Sequence, residues 1–200
     1  MKLSHTLTAT SAVFDDPNLV SAAGLVPVLA LADRAGLRRL ADEHLSVSTD
    51  KGANAGLKVA SLVAGMVAGA DSIDDMALLR HGGMGRVFAR AYAPSTLGSF
   101  LRSFTFGHVR QLDAVNSRLL ANAWAAGAGP KPDVELVVDL DSTVTEVYGK
   151  QKQGASYGYT GVLGYHPLIA TRAGTGEVLG SRMRKGAAGS SRGVLRFIGE

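Results

Sequence analysis

The chain has 200 residues, of which 46% are apolar and 19% are charged. This length and composition fit one or two ordered globular domains and exclude an intrinsically disordered chain. Cysteine is absent. Its absence excludes disulfides, thiolate nucleophiles and cysteine-ligated zinc, and it is consistent with a reducing compartment.

The positive charge is concentrated in the last quarter of the sequence. The formal net charge of the whole chain is +4, whereas residues 149–200 contain eight Lys or Arg and two Glu, a net charge of +6. A basic segment beside a near-neutral body indicates a polyanionic partner. A basic face that is merely solvated fits the charge equally well.

Neither secretion nor a membrane span is predicted. The opening MKLSHTLTAT has no apolar run after its lysine. The most apolar window, ANAGLKVASLVAGMVAG, contains Lys58 and many small residues, and it is too short and too mixed for a span. We therefore expect a cytoplasmic protein without a membrane partner.

Residues 1–129 are predicted to form an all-helical domain. Apolar residues recur at helical spacing in GLVPVLALADRAGLRRLADEHL, with a break near Gly36, in ANAGLKVASLVAGMVAG and in GHVRQLDAVNSRLLANAWAAG. Another helix is expected to start at about Ser95. The stretch DSIDDMALLRHGG predicts a helix that begins with a capping box of Ser72 and Asp75 and ends at the glycine pair.

After Pro132 the pattern becomes that of strands. VELVVDL is a short apolar run between breakers and predicts a buried strand. GVLGYHPLIATR and GEVLGSRMR flank AGTG and predict a hairpin, in which Pro167 favours an edge, a bulge or a late strand start. SSRGVLRFIGE predicts the beginning of a helix. The fold class is therefore α+β, and residues 133–200 are similar to the opening of a ribonuclease-H-like core.

Two acids lie at the end of the apolar run, in VVDLDSTVTEVYG. Strands normally exclude Asp, so Asp139 and Asp141 need an explanation. A turn or a helix cap is one, since Asp favours both. A metal site is the other, because Mg²⁺ prefers carboxylate oxygen and two-metal phosphoryl transfer needs several carboxylates. On a regular strand the two acids share a face, and from spacing alone the turn or cap is favoured.

Basic residues cluster near the predicted strands. RMRKG brings Arg182, Arg184 and Lys185 together, and YGKQKQG adds Lys150 and Lys152. Backbone amides at positions 186–190 form a second candidate phosphate site, because they lead into a helix. These features suit a nucleic-acid backbone but are not specific to it.

Aromatic residues and histidines of the same region have ordinary explanations as well. Tyr157, Tyr159 and Tyr165 are candidates for stacking on bases, although hairpin aromatics are the commoner case. His166 has no second His or Cys at ligand spacing, so we interpret it as a structural histidine.

Five stretches, in this order along the chain, resemble DDE-type transposases of bacterial insertion sequences. The resemblance is to the group with an all-helical N-terminal region and a ribonuclease-H-like core. The stretches are NAGLKVASLVAGMVAGADSIDDMALLRHGGMGRVF, APSTLGSFLRSFTFGHVRQLDAVNSRLL, VVDLDSTV, YGKQKQGASYGYTGVLGYHPLIAT and RMRKGAAGSSRG. Their combination is specific, although no single stretch is.

The resemblance implies DNA strand cleavage and joining at element ends, with Mg²⁺ or Mn²⁺ held by three acids. The first acid of such enzymes lies on the first core strand, where it is followed by Ser, Thr or Asp and then by Thr. It corresponds best to Asp141, as a catalytic residue and metal ligand, with Asp139 as the runner-up.

The resemblance also implies partners. The basic residues of RMRKG are expected to contact double-stranded DNA. The helical region is expected to bind terminal inverted repeats or to pair subunits, for example in a homodimer. Association with the bacterial nucleoid follows from such a role.

The chain departs from the family pattern after Asp141. The family needs a second Asp on a later strand and a Glu on a later helix, whereas the acids that follow are Glu146, Glu177 and Glu200. We therefore expect a truncated transposase that is inactive alone. The alternatives are a non-enzymatic DNA-binding protein that competes with intact transposase at element ends, and a remnant without activity.

Overall fold

Five α-helices precede the strands along the described chain, and a sixth follows them. The computed structural model describes residues 16–48, 50–131, 133–149 and 151–199. The α-helices of these residues are α1 Leu25–Arg34, α2 Leu37–His44, α3 Ala55–Val67, α4 Pro94–Arg102, α5 Phe106–Ala123 and α6 Val194–Ile198. Their strands are β1 Val138–Ser142, β2 Thr145–Glu146, β3 Ser156–Tyr157, β4 Leu163–Tyr165, β5 Leu168–Arg172 and β6 Val178–Arg182.

Glycine, proline and a capping box set the helix ends. Gly36, with a φ of 93°, separates α1 from α2, since glycine adopts positive φ without strain. Pro94 occupies the first turn of α4, where its missing N–H costs nothing. The backbone N–H of Thr105 donates to Nδ1 of His108 at 3.0 Å as part of a capping box that begins α5. The helices predicted at these positions are confirmed.

Residues 72–86 differ from the predicted helix. The Ser72–Asp75 contact is present, with the Ser72 N–H and hydroxyl donating to Oδ2 of Asp75 at 2.9 and 2.7 Å. However, Asp74–Arg80 and Gly82–Arg86 are 3₁₀-helices. The backbone at His81 is extended, with a ψ of 152°, so neither piece is long enough to sustain an α-helical ladder.

The main core lies between α2, α3, α4 and α5. Gly56 allows α2 and α3 to approach closely, since a Cβ at this position would lie 2.3 Å from the carbonyl oxygen of Arg38. The Gly56 N–H also donates to Oδ1 of Asp42 at 2.7 Å. The buried residues of this cluster are Leu37, Ala41, Leu45, Val47, Ala55, Val59 and Phe100.

The described strands form two antiparallel sheets of three strands each. The strand orders are β1-β5-β6 and β2-β4-β3. The predicted hairpin is confirmed as β5 and β6, with a register shift between Ala170 and Thr171. β5 begins at Leu168, directly after Pro167, so the proline marks a late strand start. The predicted helix start after β6 is confirmed as α6.

β1 is exposed, and the prediction that VELVVDL forms a buried strand is wrong. The strand starts only at Val138, and Val138 and Leu140 are both exposed. β5 pairs with one edge of β1, and no other described strand pairs with its other edge. Burial depends on a covering layer that a local pattern cannot reveal.

One face of the first sheet packs against α6. Ser142, Leu168 and Arg182 lie opposite one another across β1, β5 and β6, so their side chains share this face. Leu168 is buried there. Cζ of Arg182 lies 5.5 Å from the ring centroid of Phe197 in α6.

The opposite face carries the acids of β1 and meets α5 at the β6 edge. Asp141, Ile169 and Ser181 are aligned across the three strands. The Ser181 hydroxyl donates to Oδ1 of Asp113 in α5 at 2.8 Å. Helices and antiparallel sheets in succession confirm the α+β class, while the division at residues 129 and 133 into two domains stays a prediction.

Candidate active site

Asp141 is an exposed carboxylate near the C-terminal end of β1. Its Oδ1 accepts the backbone N–H of Ser142 at 2.7 Å, and no described residue hydrogen-bonds its other oxygen. Because carboxylate oxygen is the preferred ligand of hard divalent cations, this side chain is suited to ligate one.

Asp139 lies two residues earlier on the same face of β1 and is also exposed. Residues at this spacing are about 7 Å apart along a strand. Neither acid lies in a turn or caps a helix, since both belong to β1. The turn-or-cap explanation is therefore wrong, and the two carboxylates form one acidic surface beside β5.

His166 lies behind this strand end and is 1% exposed. Its Nε2 is 3.1 Å from the hydroxyl of Ser142, and its Nδ1 is 2.6 Å from the carbonyl oxygen of Ala188. From the sequence alone His166 is interpreted as structural, because no second His or Cys lies at a spacing suited to a shared metal ion. Its two partners are 24 and 22 positions away, and no local pattern connects residues so far apart.

Arg184 is buried, at 9% exposure, and its guanidinium holds backbone carbonyls. Nε donates to the carbonyl of His166 at 2.7 Å, and Nη1 donates to those of Gly189, Ser190 and Arg192 at 3.1, 3.0 and 2.8 Å. Nη2 is buried without a partner among the described residues. The side chain that the sequence suggested for DNA contact thus points into the protein and folds residues 185–193 around itself.

Burial lowers the pKa of Arg184 from its usual value. A guanidinium stays protonated at neutral pH even so, which makes Arg184 a buried cation. Four carbonyl oxygens compensate part of the lost hydration, because hydrogen bonds to charged groups are the stronger ones.

The other predicted DNA-contact residues lie at different depths. Lys185 and Lys152 are exposed. Arg182 is half-buried over Phe197. Lys150 lies outside the described residues. The exposed lysines are therefore the ones available to a phosphate backbone.

The backbone amides at positions 186–190 are less available than their sequence suggests. The N–H of Ala187 donates to the hydroxyl of Ser156, and that of Ala188 to the carbonyl of Lys185, each at 2.9 Å. The helix that follows, α6, has only five residues. Because two of these amides already have acceptors and the helix is short, the structure does not favour an anion site at this loop.

The three tyrosines fall into two groups. Tyr157 and Tyr159 are 64% and 79% exposed, so their rings are accessible for stacking. Tyr165 donates its hydroxyl to the carbonyl of Gln153 at 3.0 Å and belongs to the sheet. Only the first two remain candidates for a base contact.

The fold and the site define an α+β protein with an acidic strand face and exposed lysines on neighbouring segments. The family model for transposase DDE domain group 1 matches residues 7–200. The protein belongs to this transposase family, and the resemblance of its sequence to DDE-type transposases is confirmed. The curated proteins and solved structures contain no match to it. Each helix in the described ranges is too short or too polar to cross a bilayer.

Proposed function

We propose that this protein acts in DNA transposition through metal-dependent strand cleavage and joining at the ends of an insertion sequence. The observation that carries the proposal is the exposed Asp141 on the first strand of a chain that matches the DDE family over residues 7–200. The antiparallel order β1-β5-β6, followed by α6, supports a ribonuclease-H-like core in residues 133–200.

Asp141 is the first acid of the proposed site, and Asp139 is the alternative. When bound, Mg²⁺ or Mn²⁺ polarises the phosphate and activates the attacking oxygen. Within the described residues no three His, Cys, Asp or Glu side chains are placed to hold one ion. Asp141 fits as one ligand of the three-acid set that the family resemblance implies. We expect the 200-residue chain alone not to cleave DNA, because the acids after Asp141 do not match the second and third acids of that set.

The proposed DNA contacts are made by exposed cations of the strand region. Lys152 and Lys185 contact phosphates directly, whereas Arg184 contributes by holding the loop that follows Lys185. The helical region, residues 1–129, is proposed to recognise the terminal inverted repeats or to pair two copies of the chain. Nucleoid association follows from this binding.

The test uses the purified chain and duplexes taken from both flanks of its coding sequence. We expect fluorescence anisotropy to show at least about tenfold tighter binding to an element end than to a shuffled duplex, a modest ratio for sequence-specific proteins. Equal, weak binding to both duplexes would contradict end recognition.

The same protein tests the role of Asp141. We expect no nicking of the end duplex with Mg²⁺ or Mn²⁺. Metal-dependent nicking that Asp141→Asn abolishes would contradict the expected inactivity of the chain alone and would establish the acid as catalytic. Asp141→Asn is expected to leave DNA affinity unchanged or slightly higher, because it removes a negative charge.

A second candidate function is that of a non-enzymatic protein that occupies element ends. The exposure of Lys152 and Lys185 favours it, because binding needs these cations and not a complete set of acids. Co-expression with an intact transposase of the same element distinguishes the two. If the chain is a competitor, the wild-type chain and Asp141→Asn lower transposition by the same amount. If the chain contributes Asp141 to a joint active site, the two proteins differ in their effect on transposition.

A further inference from the structure

We propose that His166 is a positioning residue, which fixes the strand end that carries Asp141 to the loop of residues 185–193. The inference rests on the proposed function for the role of Asp141, but its geometry stands on the fold alone. It assigns a task to a buried polar side chain that the catalytic acids do not explain.

Each ring nitrogen of His166 has one partner among the described residues, and the two partners lie on different segments. The carbonyl oxygen of Ala188 can only accept, so Nδ1 carries a proton and donates to it over 2.6 Å. In the neutral ring Nε2 is then an acceptor, and the hydroxyl of Ser142 donates to it over 3.1 Å. The ring is thereby held in the tautomer that is protonated at Nδ1.

The contact with Ser142 reaches Asp141 through the backbone. The two side chains lie on opposite faces of β1, since they are adjacent on a strand. The Ser142 N–H donates to Oδ1 of Asp141 at 2.7 Å. His166 therefore holds β1 from the buried face at the residue whose amide orients the carboxylate on the exposed face.

The backbone of His166 is tied to the same loop. Its N–H donates to the carbonyl of Arg184 at 3.2 Å, and its carbonyl accepts from Nε of Arg184 at 2.7 Å. Arg184 in turn holds the carbonyls of Gly189, Ser190 and Arg192. One histidine thus joins the acid-bearing strand to a loop that starts at the exposed Lys185.

This arrangement has a mechanistic consequence. A metal ligand works only when its orientation is fixed, and outer partners that orient ligands contribute substantially to metal affinity. Since the loop and the strand end share His166, a phosphate held near Lys185 and a cation held by Asp141 keep a constant relative position. A histidine that merely fills the core would contribute to stability without affecting Asp141.

Two variants of the full chain separate the two ring contacts. His166→Asn retains a donor near the position of Nδ1 for Ala188 but does not reach Ser142. His166→Gln places its amide oxygen near the position of Nε2, where it accepts from Ser142. Ser142→Ala removes the same hydrogen bond from the other side and is the matched control.

The first readout is hydrogen exchange of the Thr143 amide, measured by NMR without metal, because this amide donates to the backbone carbonyl of Pro167 at 3.4 Å and so reports opening of the strand end. We expect exchange to be at least about tenfold faster in His166→Asn and Ser142→Ala than in wild type, and near the wild-type rate in His166→Gln, because a freed strand end opens more often. The global unfolding free energy of each protein, measured in parallel, is used to correct the exchange rates for differences in overall stability. If wild type and the three variants then exchange at equal rates, the proposal is overturned.

The second readout is Mn²⁺ affinity, from paramagnetic broadening of the Asp141 and Ser142 amide signals, with Asp141→Asn as the reference for loss. We expect about tenfold weaker binding in His166→Asn and Ser142→Ala, the lower end of the range for outer partners of metal ligands, and recovery in His166→Gln. Unchanged affinity in both weakened variants would show that His166 is only structural. If wild type and Asp141→Asn broaden alike, the proposed metal role fails, and the exchange measurement alone still decides the position of His166.

Discussion

Lys58 is the clearest case of a charged residue placed in the core. It is 5% exposed in α3, although α3 is otherwise lined with small and apolar residues. Its ammonium donates to the carbonyl of Lys51 at 2.6 Å and lies 5.2 Å from the ring centroid of Phe100. Burial is the main cause that lowers the pKa of Lys58. A buried ammonium with one hydrogen-bond acceptor among the described residues is therefore tolerated at a cost to stability.

The lowered pKa predicts how this cost depends on pH. Between the folded pKa and the unfolded value of about 10.4, the unfolded chain binds more protons than the folded one. The free energy of unfolding therefore rises with pH through this window. We expect wild type to gain stability relative to Lys58→Met as pH increases from neutral towards about 10. Urea titrations of both proteins at several pH values measure the difference.

The control for this prediction is Lys131→Met, at an exposed lysine. Its stability difference from wild type should stay nearly constant over the same pH range, because surface substitutions change stability little. A constant difference for Lys58→Met as well would show that burial does not disfavour the protonated amine.

At the scale of elements, the contact between α2 and α3 depends on a glycine that helix propensity disfavours. Gly56→Ala should stabilise an isolated helix, but its Cβ would lie 2.3 Å from the Arg38 carbonyl oxygen and 2.5 Å from Oδ2 of Asp42. Backbone cannot yield as a flexible side chain does, so we expect a loss of about 2 kcal/mol in unfolding free energy. Chemical denaturation measures it.

Gly107 provides a matched control, because it is the second residue of α5 as Gly56 is of α3. A Cβ at Gly107 would have one neighbour within 4 Å, the Thr105 hydroxyl at 3.8 Å. We expect Gly107→Ala to be neutral or to stabilise the protein by up to about 0.5 kcal/mol. Similar effects of both substitutions would mean that propensity, and not packing, governs these positions.

Element type was predictable from the sequence where periodicity is strong, and burial was not. The stripe of α5 and the break at Gly36 gave correct helices. The two-residue strands β2 and β3 lie in a Gly- and Tyr-rich stretch with no period of its own, so only pairing with β4 defines them. In α3 the small residues Ala64 and Gly65 are buried while Met66 is exposed. Where elements pack closely, small side chains fit better than large ones, even when the large ones are more hydrophobic.

The candidate site was predictable only in part for the same reason. Asp141 stands out because an acid in an apolar run is rare, and the family motif selects it over Asp139. The inward orientation of Arg184 and the contacts of His166 arise from the tertiary folding of residues 142–192, which a charge pattern does not encode. From composition alone Arg184 is expected to be a surface charge, whereas in the structure its guanidinium is buried and binds backbone carbonyls of the loop at residues 185–193.

At the scale of the whole molecule, the concentration of positive charge after residue 149 predicts salt-dependent DNA binding. Each phosphate contact that is lost should reduce the slope of log affinity against log salt by about 0.9. We expect Lys152→Gln and Lys185→Gln each to lower the slope by this amount, and the double variant to lower it by about 1.8 if both contact phosphates. Anisotropy titrations of an end duplex at a series of salt concentrations measure the slopes.

Lys131→Gln is the charge-matched control, since Lys131 is exposed but precedes the strand region. It changes the net charge of the chain as much as either test substitution does, and it should leave the slope unchanged. If all three single variants reduce the slope equally, binding follows net charge and no defined surface. If Lys152→Gln and Lys185→Gln leave the slope intact while affinity persists, the DNA contact belongs to the helical region. The loop held by Arg184 would then have no part in DNA binding.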